Sequence, residues 1–178
     1  MGRSKSANFL VTGHWSNECR KEASKFCDAN IVSDSAENNF TLIDDPVEWN
    51  IKPDAAFFHY CDNETANGLE LVDFPYQMVP QSQILIADMS SSIATRRIDW
   101  DNYGVVYASA QKNLGAAGLT VVFVRRDLIG RKWMQTPALC DWELFSNSQN
   151  GFFNTPSVYS VYITGLNVQH LIAKGGVE

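Results

Sequence analysis

No apolar run in the 178-residue sequence approaches the ~20 residues that a membrane-spanning helix needs. The opening, MGRSKSANF, has no apolar segment behind its basic residues of the kind a secretory signal requires. The implied compartment is the cytosol, with no membrane partner. Cysteine is sparse: Cys19, Cys27, Cys61 and Cys140 are scattered, with no C-x-x-C pair and no histidine at ligand spacing from any of them. A zinc site is therefore not expected, and reduced thiols are favoured over a disulfide framework. Charged residues make up only 19% of the chain and the formal net charge is -6, which argues against nucleic acid or anionic membrane as a partner. The G-x-x-x-x-G-K-[ST], G-x-S-x-G and H-E-x-x-H patterns are missing, and with them the usual signatures of nucleotide, serine-hydrolase and zinc-protease chemistry. The GAAG between Gly115 and Gly118 follows a lysine instead of opening a strand-turn-helix unit, so a nicotinamide site is disfavoured.

What is present is apolar and alternating. At 45% hydrophobic, the chain can build one domain with a sizeable core. Ala7 to Thr12 reads as a strand, and Ser16 to Cys27 as a helix capped by Ser16, with Cys19, Ala23 and Phe26 facing inward. Ala55 to Tyr60 is a second apolar run, followed by the polar loop CDNETANG. Ile84 to Ala87 and Val105 to Ala108 suit buried parallel strands, and Gly118 to Arg125 reads as a further strand. Asn30 to Asn50 is expected to hold a strand or two with loops, and Trp133 to Asn150 an irregular segment. Pro156 to Lys174 has the spacing of a long helix with proline in its first turn. Strands separated by helices and loops indicate an α/β domain with a mixed, mostly parallel sheet flanked by helices.

The chemistry concentrates between Ile84 and Arg126. ILIADMSSS and VVYASAQKNLGAAGLTVVFVRR place Asp88 and Lys112 at the ends of successive apolar runs. A carboxylate and an amine on neighbouring strand ends match the needs of pyridoxal 5'-phosphate: an amine to bond its aldehyde, a carboxylate to keep its ring nitrogen protonated. Taken singly, each residue has a plainer reading. An aspartate closing a strand before serines is also turn or capping chemistry, and most lysines are solvated surface charges.

Five segments in order, VTGHWSNECRKEASKF, HYCDNETANGLE, ILIADMSSS, YASAQKNLGAAGLTVV and FNTPSVYSVYITGL, resemble the central part of the phosphoserine aminotransferase family of fold-type I pyridoxal-phosphate enzymes. The resemblance covers essentially the whole chain. It implies part of the large cofactor-binding domain over residues 1–178. The family's N-terminal phosphate-loop segment and C-terminal small domain are absent from the sequence, so the chain reads as a fragment expected to be inactive alone. It implies Lys112 as the covalent attachment point and proton carrier, Asp88 at the ring nitrogen and Trp15 stacked on the ring. Thr65 falls near the ring oxygen and Gln111 near the phosphate. Asn154 and Thr155 would reach the phosphate of a neighbouring subunit, which implies a homodimer with composite sites. The implied reaction exchanges an amino group between L-glutamate and 3-phosphohydroxypyruvate, giving O-phospho-L-serine and 2-oxoglutarate on the route to L-serine. Two alternatives stay open: a fold-type I aminotransferase with another substrate, and a non-catalytic truncated copy. Ser90 is expected to be a turn hydroxyl and His14 a structural histidine.

Overall fold

The computed structural model describes residues 5–177. The chain opens with strand β1 (Ser6–Val11), helix α1 (His14–Ala23) and strand β2 (Asp28–Asp34), then runs through a long connection to β3 (Phe57–Cys61). A two-residue hairpin, β4 (Asn63–Glu64) and β5 (Leu69–Glu70), leads by a loop to β6 (Ile84–Asp88), β7 (Val105–Ser109) and β8 (Thr120–Val124). The short α2 (Trp142–Ser146) and the long α3 (Val158–Ala173) complete the order.

Six strands form one sheet in the order β2-β1-β3-β6-β7-β8. All neighbours are parallel except β7 and β8, which pair antiparallel. The apolar runs explain this. Strands covered on both faces need side chains on both faces to be apolar, and β3, β6 and β7 are near-continuous in Phe, Tyr, Ile, Leu, Val and Ala. The tight return into β8 depends on Gly115, whose φ is 156° and whose missing Cβ would meet Thr164 Oγ1 of α3 at 2.7 Å. One face of the sheet carries the main core, where Leu10, Phe58, Tyr60, Leu85 and Val106 pack with Trp49 and Phe74 from the loops. Tyr60 and Phe74 stack there with ring centroids 4.1 Å apart.

The strand order places the site. From β1 the chain crosses to one side through α1 to β2, and then returns to β3 on the other side. Between the carboxyl ends of β1 and β3 the connections therefore diverge, leaving the crevice where open α/β sheets bind ligands.

Four local expectations are corrected. Helix α1 starts two residues earlier than expected, at His14, because Ser16 sits inside the first turn and its hydroxyl accepts from Thr12 N at 2.9 Å and Gly13 N at 3.1 Å. Phe26 is 71% exposed and does not face inward, because the helix ends at Ala23 and the following turn breaks its periodicity. Pro156 lies before Ser157, the N-cap of α3, and so outside the first turn. The polar CDNETANG segment is also more ordered than a loop, since it carries β4, which pairs with β5 directly after it.

Candidate active site

Four turns at the carboxyl edge of the sheet supply the side chains. Trp15 follows β1, Thr65 follows β4 just beyond β3, Asp88 ends β6, and Lys112 lies in the turn after β7. The fold brings the first, second and fourth of these together. Lys112 Nζ donates to Thr65 Oγ1 at 2.6 Å and lies 6.0 Å from the centroid of the Trp15 ring. Among the described residues no carboxylate pairs with Lys112, so its amine is held only by a hydroxyl. Trp15 keeps 49% of its surface exposed, with His14 edge-on to it at 4.8 Å and itself exposed. About half of the Trp15 surface is thus open to solvent, and the exposed His14 is not the satisfied structural histidine expected.

Asp88 is half-buried. Its Oδ1 accepts from Ser90 N at 2.9 Å and Ser90 Oγ at 2.6 Å, and Ser90 Oγ in turn accepts from Ser109 N at 3.0 Å. Ser90 is therefore a turn hydroxyl, as expected, and it fastens the end of β6 to the end of β7. The other oxygen, Oδ2, has no hydrogen-bond donor among the described residues, so the carboxylate retains an acceptor for a donor in the crevice. Asp88 thus performs local turn bonding through one oxygen and leaves the other without a donor among the described residues.

Around Asp88 the sheet presents neutral groups. Register puts His59, Cys61, Ile86, Asp88 and Tyr107 on one face, with Cys61 opposite Asp88 on one side and Tyr107 opposite it on the other. His59 Nε2 lies 2.9 Å from Tyr107 Oη and 3.6 Å from Cys19 Sγ of α1. Burial pushes the His59 imidazole down to about 4, against the pull of Asp88, and pushes the Cys19 thiol up to about 11. Desolvation, reinforced by the Asp88 charge, raises the Tyr107 and Cys61 groups as well. Near neutral pH all four are uncharged, so the sheet face beside Asp88 is neutral.

The turns are tied to one another by residues that sequence reasoning did not single out. Asn63 Nδ2 donates to Ser91 Oγ at 2.9 Å, and Ser91 Oγ donates back to the Asn63 carbonyl at 2.9 Å. Asn113, directly after the lysine, donates to the carbonyls of Ser91 and Ile93 at 3.0 and 2.9 Å. The Thr65 turn and the Lys112 turn are therefore pinned to the same loop after Asp88. The sequence signal was the amide beside the lysine, a residue suited to bonding nearby backbone. Glu64, fully buried beside Thr65, was also missed; its carboxylate accepts from Trp15 N at 3.0 Å and Ser16 N at 2.7 Å.

The remaining expected residues stand differently. Gln111 is exposed next to Lys112. Asn154 and Thr155 are exposed ahead of α3, where Asn154 Nδ2 donates to the Thr155 carbonyl at 3.2 Å. Among the described residues neither makes a hydrogen bond to Lys112, Thr65, Trp15 or Asp88.

A family model described as aminotransferase class-V matches residues 3–178. The chain belongs to the class-V aminotransferase family. Among curated proteins, this class-V chain is similar to phosphoserine aminotransferase of Ruthia magnifica subsp. Calyptogena magnifica, with 45% identity over 172 residues, covering 97% of the chain and 46% of that protein. Among solved structures it is similar to phosphoserine aminotransferase from Bacillus circulans subsp. alkalophilus, with a TM-score of 0.90 and 32% identity over 98% of this chain and 47% of that one. A PLP-bound phosphoserine aminotransferase from Trichomonas vaginalis superposes with a TM-score of 0.87 at 33% identity, covering 99% of this chain and 49% of that one. The class-V chain thus spans about half the length of the relatives it matches, 46% for the first of them. The mixed, mostly parallel sheet is the fold of these neighbours.

Proposed function

We propose that the chain is the cofactor-holding part of a phosphoserine aminotransferase large domain, using pyridoxal 5'-phosphate to exchange an amino group between L-glutamate and 3-phosphohydroxypyruvate. The observation that carries this reading is the convergence at the switch-point crevice. Lys112 Nζ sits on Thr65, 6.0 Å from a half-exposed indole, while the neighbouring strand ends in Asp88 with one oxygen unclaimed. The residues fit the group: an amine without an ion pair among the described residues, a half-exposed indole and a carboxylate oxygen without a donor in a neutral setting. Names borne by the similar proteins support the same reading, including the PLP-bound relative.

Bound pyridoxal phosphate would supply an aldehyde and an electron-withdrawing ring. Lys112 would hold the cofactor through its amine, and that amine, 2.6 Å from Thr65 Oγ1, is the group placed to take and return a proton at the substrate Cα. Asp88 would hold a proton on the ring nitrogen through Oδ2, beside the uncharged His59, Cys61 and Tyr107. Trp15 would limit ring tilt by stacking, and the Thr65 hydroxyl would be placed to donate to the cofactor. Gln111 would meet the phosphate. Asn154 and Thr155 serve the phosphate of a second copy, giving a homodimer with composite sites in the cytosol.

Substituting residues 5–177 for the matching span of the Bacillus circulans relative tests the function. The chimera is expected to bind the cofactor and to convert O-phospho-L-serine with 2-oxoglutarate, and a Lys112→Ala version to do neither turnover nor covalent capture. A folded chimera that takes up cofactor yet turns over no phosphoserine, while accepting other amino acids, would assign the chain to another substrate.

A further inference from the structure

The first turn of α1 is an anion-binding site by construction, with free backbone N–H groups and the positive end of the helix dipole. In this protein that turn is already filled from within. Glu64 takes Trp15 N at 3.0 Å and Ser16 N at 2.7 Å, and Asn67 Oδ1 takes His14 N at 2.9 Å. All three donors belong to the first turn, and both acceptors belong to one hairpin, which runs from β4 to β5 and carries Thr65 between them. The Glu64 side chain is fully buried. Gly13 makes room for it: a Cβ at that position would lie 2.5 Å from Glu64 Cδ and 2.7 Å from Oε2. The φ of Gly13 is 177°, extended backbone open to any residue, so space and not conformation calls for glycine there.

We infer that Glu64 is a positioning residue: with Gly13 and Asn67 it clasps α1 to the hairpin and so fixes the Trp15 ring against the Thr65 hydroxyl and the Lys112 amine. The inference rests on the proposed cofactor site and adds to it. Trp15 and Thr65 stand 50 residues apart in sequence, on different elements, yet they must face the same ligand. A buried carboxylate bonded to two backbone amides holds its geometry better than contact between two exposed side chains would. The charge on Glu64 matters as much as its shape, since charged acceptors make the stronger bonds to helix-end amides.

The test is a double-mutant cycle between Gly13→Ala and Glu64→Gln, read by titration with pyridoxal phosphate well below every variant's melting temperature. Glu64→Gln keeps the size of the side chain but turns one acceptor into a donor facing an N–H. Gly13→Ala keeps Glu64 but displaces it. Each single change is expected to weaken cofactor binding about tenfold and to reduce the circular dichroism induced in the cofactor's visible band, as misplacement of a stacking ring would. In the double variant the loss should stay within about twofold of the worse single, because both changes break the same clasp. Singles that bind within twofold of the unaltered chain, or effects that multiply in the double, would overturn the inference. Amide exchange at His14, Trp15 and Ser16 reads the clasp without any cofactor: it should accelerate at least tenfold in Glu64→Gln and selectively at His14 in Asn67→Ala. Unchanged exchange would overturn the clasp itself. An unaltered chain that takes up no cofactor, with accelerated exchange in the variants, would instead remove the functional reading and leave the clasp standing.

Discussion

The neutral bed under Asp88 has a measurable cost. His59 is buried at 4% exposure, its Nδ1 has no hydrogen-bond partner, and burial holds its imidazole at about 4 against an ordinary value of 6.5. A histidine with a lowered native value binds fewer protons folded than unfolded, so stability is lost as the pH falls from near 6.5 toward 4 and is fully present above that window. From the two values the loss is about 2 kcal/mol near pH 5 and about 3 kcal/mol near pH 4. His59→Gln removes the titration while leaving an amide to meet Tyr107 Oη. It also loses ring contact with Phe9 and Tyr107, but that cost does not vary with pH. The carboxyl of Asp62, raised by burial, responds to pH with the opposite sign in both proteins and cancels from the comparison. Urea unfolding of the unaltered chain and of His59→Gln at a series of pH values gives the difference directly. The variant should gain on the unaltered protein by roughly 2 kcal/mol between pH 7.5 and pH 5. A difference that stays flat over that range would show that His59 protonates as readily folded as unfolded, and the picture of a neutral sheet face beside Asp88 would fail.

Two further outcomes bear on the site, both measured in the chimera. Asp88→Asn nearly keeps the shape but removes the charge at the ring nitrogen, so turnover should fall by orders of magnitude, several steps of ~1.4 kcal/mol, with a smaller loss of cofactor affinity; near-normal turnover would remove its role. Refolding Lys112→Ala together with Thr155→Ala should restore activity above either parent, because one site of the mixed dimer then joins an intact Lys112 to an intact Thr155. No recovery in proven heterodimers, with Thr155→Ala alone defective, would place Thr155 in its own chain's site.

The strands were legible because parallel strands covered on both faces leave uninterrupted apolar runs, as in ILIAD and VVYAS. Helix α3 was legible from its length and spacing. What escaped reading was set by partners distant in sequence. The start of α1 hid behind Ser16, which looks like a cap and works instead from the third helical position, reaching back to Thr12 and Gly13. The β4–β5 hairpin has only two residues per strand and no apolar signature at all. Glu64 bonds to amides 48 and 49 residues away, a relation no local pattern carries. His59 could have been noticed, since alternation along FFHYC puts an ionisable ring in the middle of a buried strand. Among the proposed site residues, Trp15, Thr65 and Lys112 lie in turns beyond strand ends, and the sheet order brings these three together. Asn154 and Thr155 lie on a loop, and their role depends on a second chain.

The central claim is that Lys112 is the amine that captures the cofactor. Incubating the chain with pyridoxal phosphate, fixing the bond with borohydride and mapping the peptides tests it most directly. The account predicts the label on Lys112, with a visible absorption band that disappears in Lys112→Ala. A label on Lys132, which is already paired with Asp141 at 2.5 Å and Glu143 at 3.0 Å, or on Lys174, would contradict it.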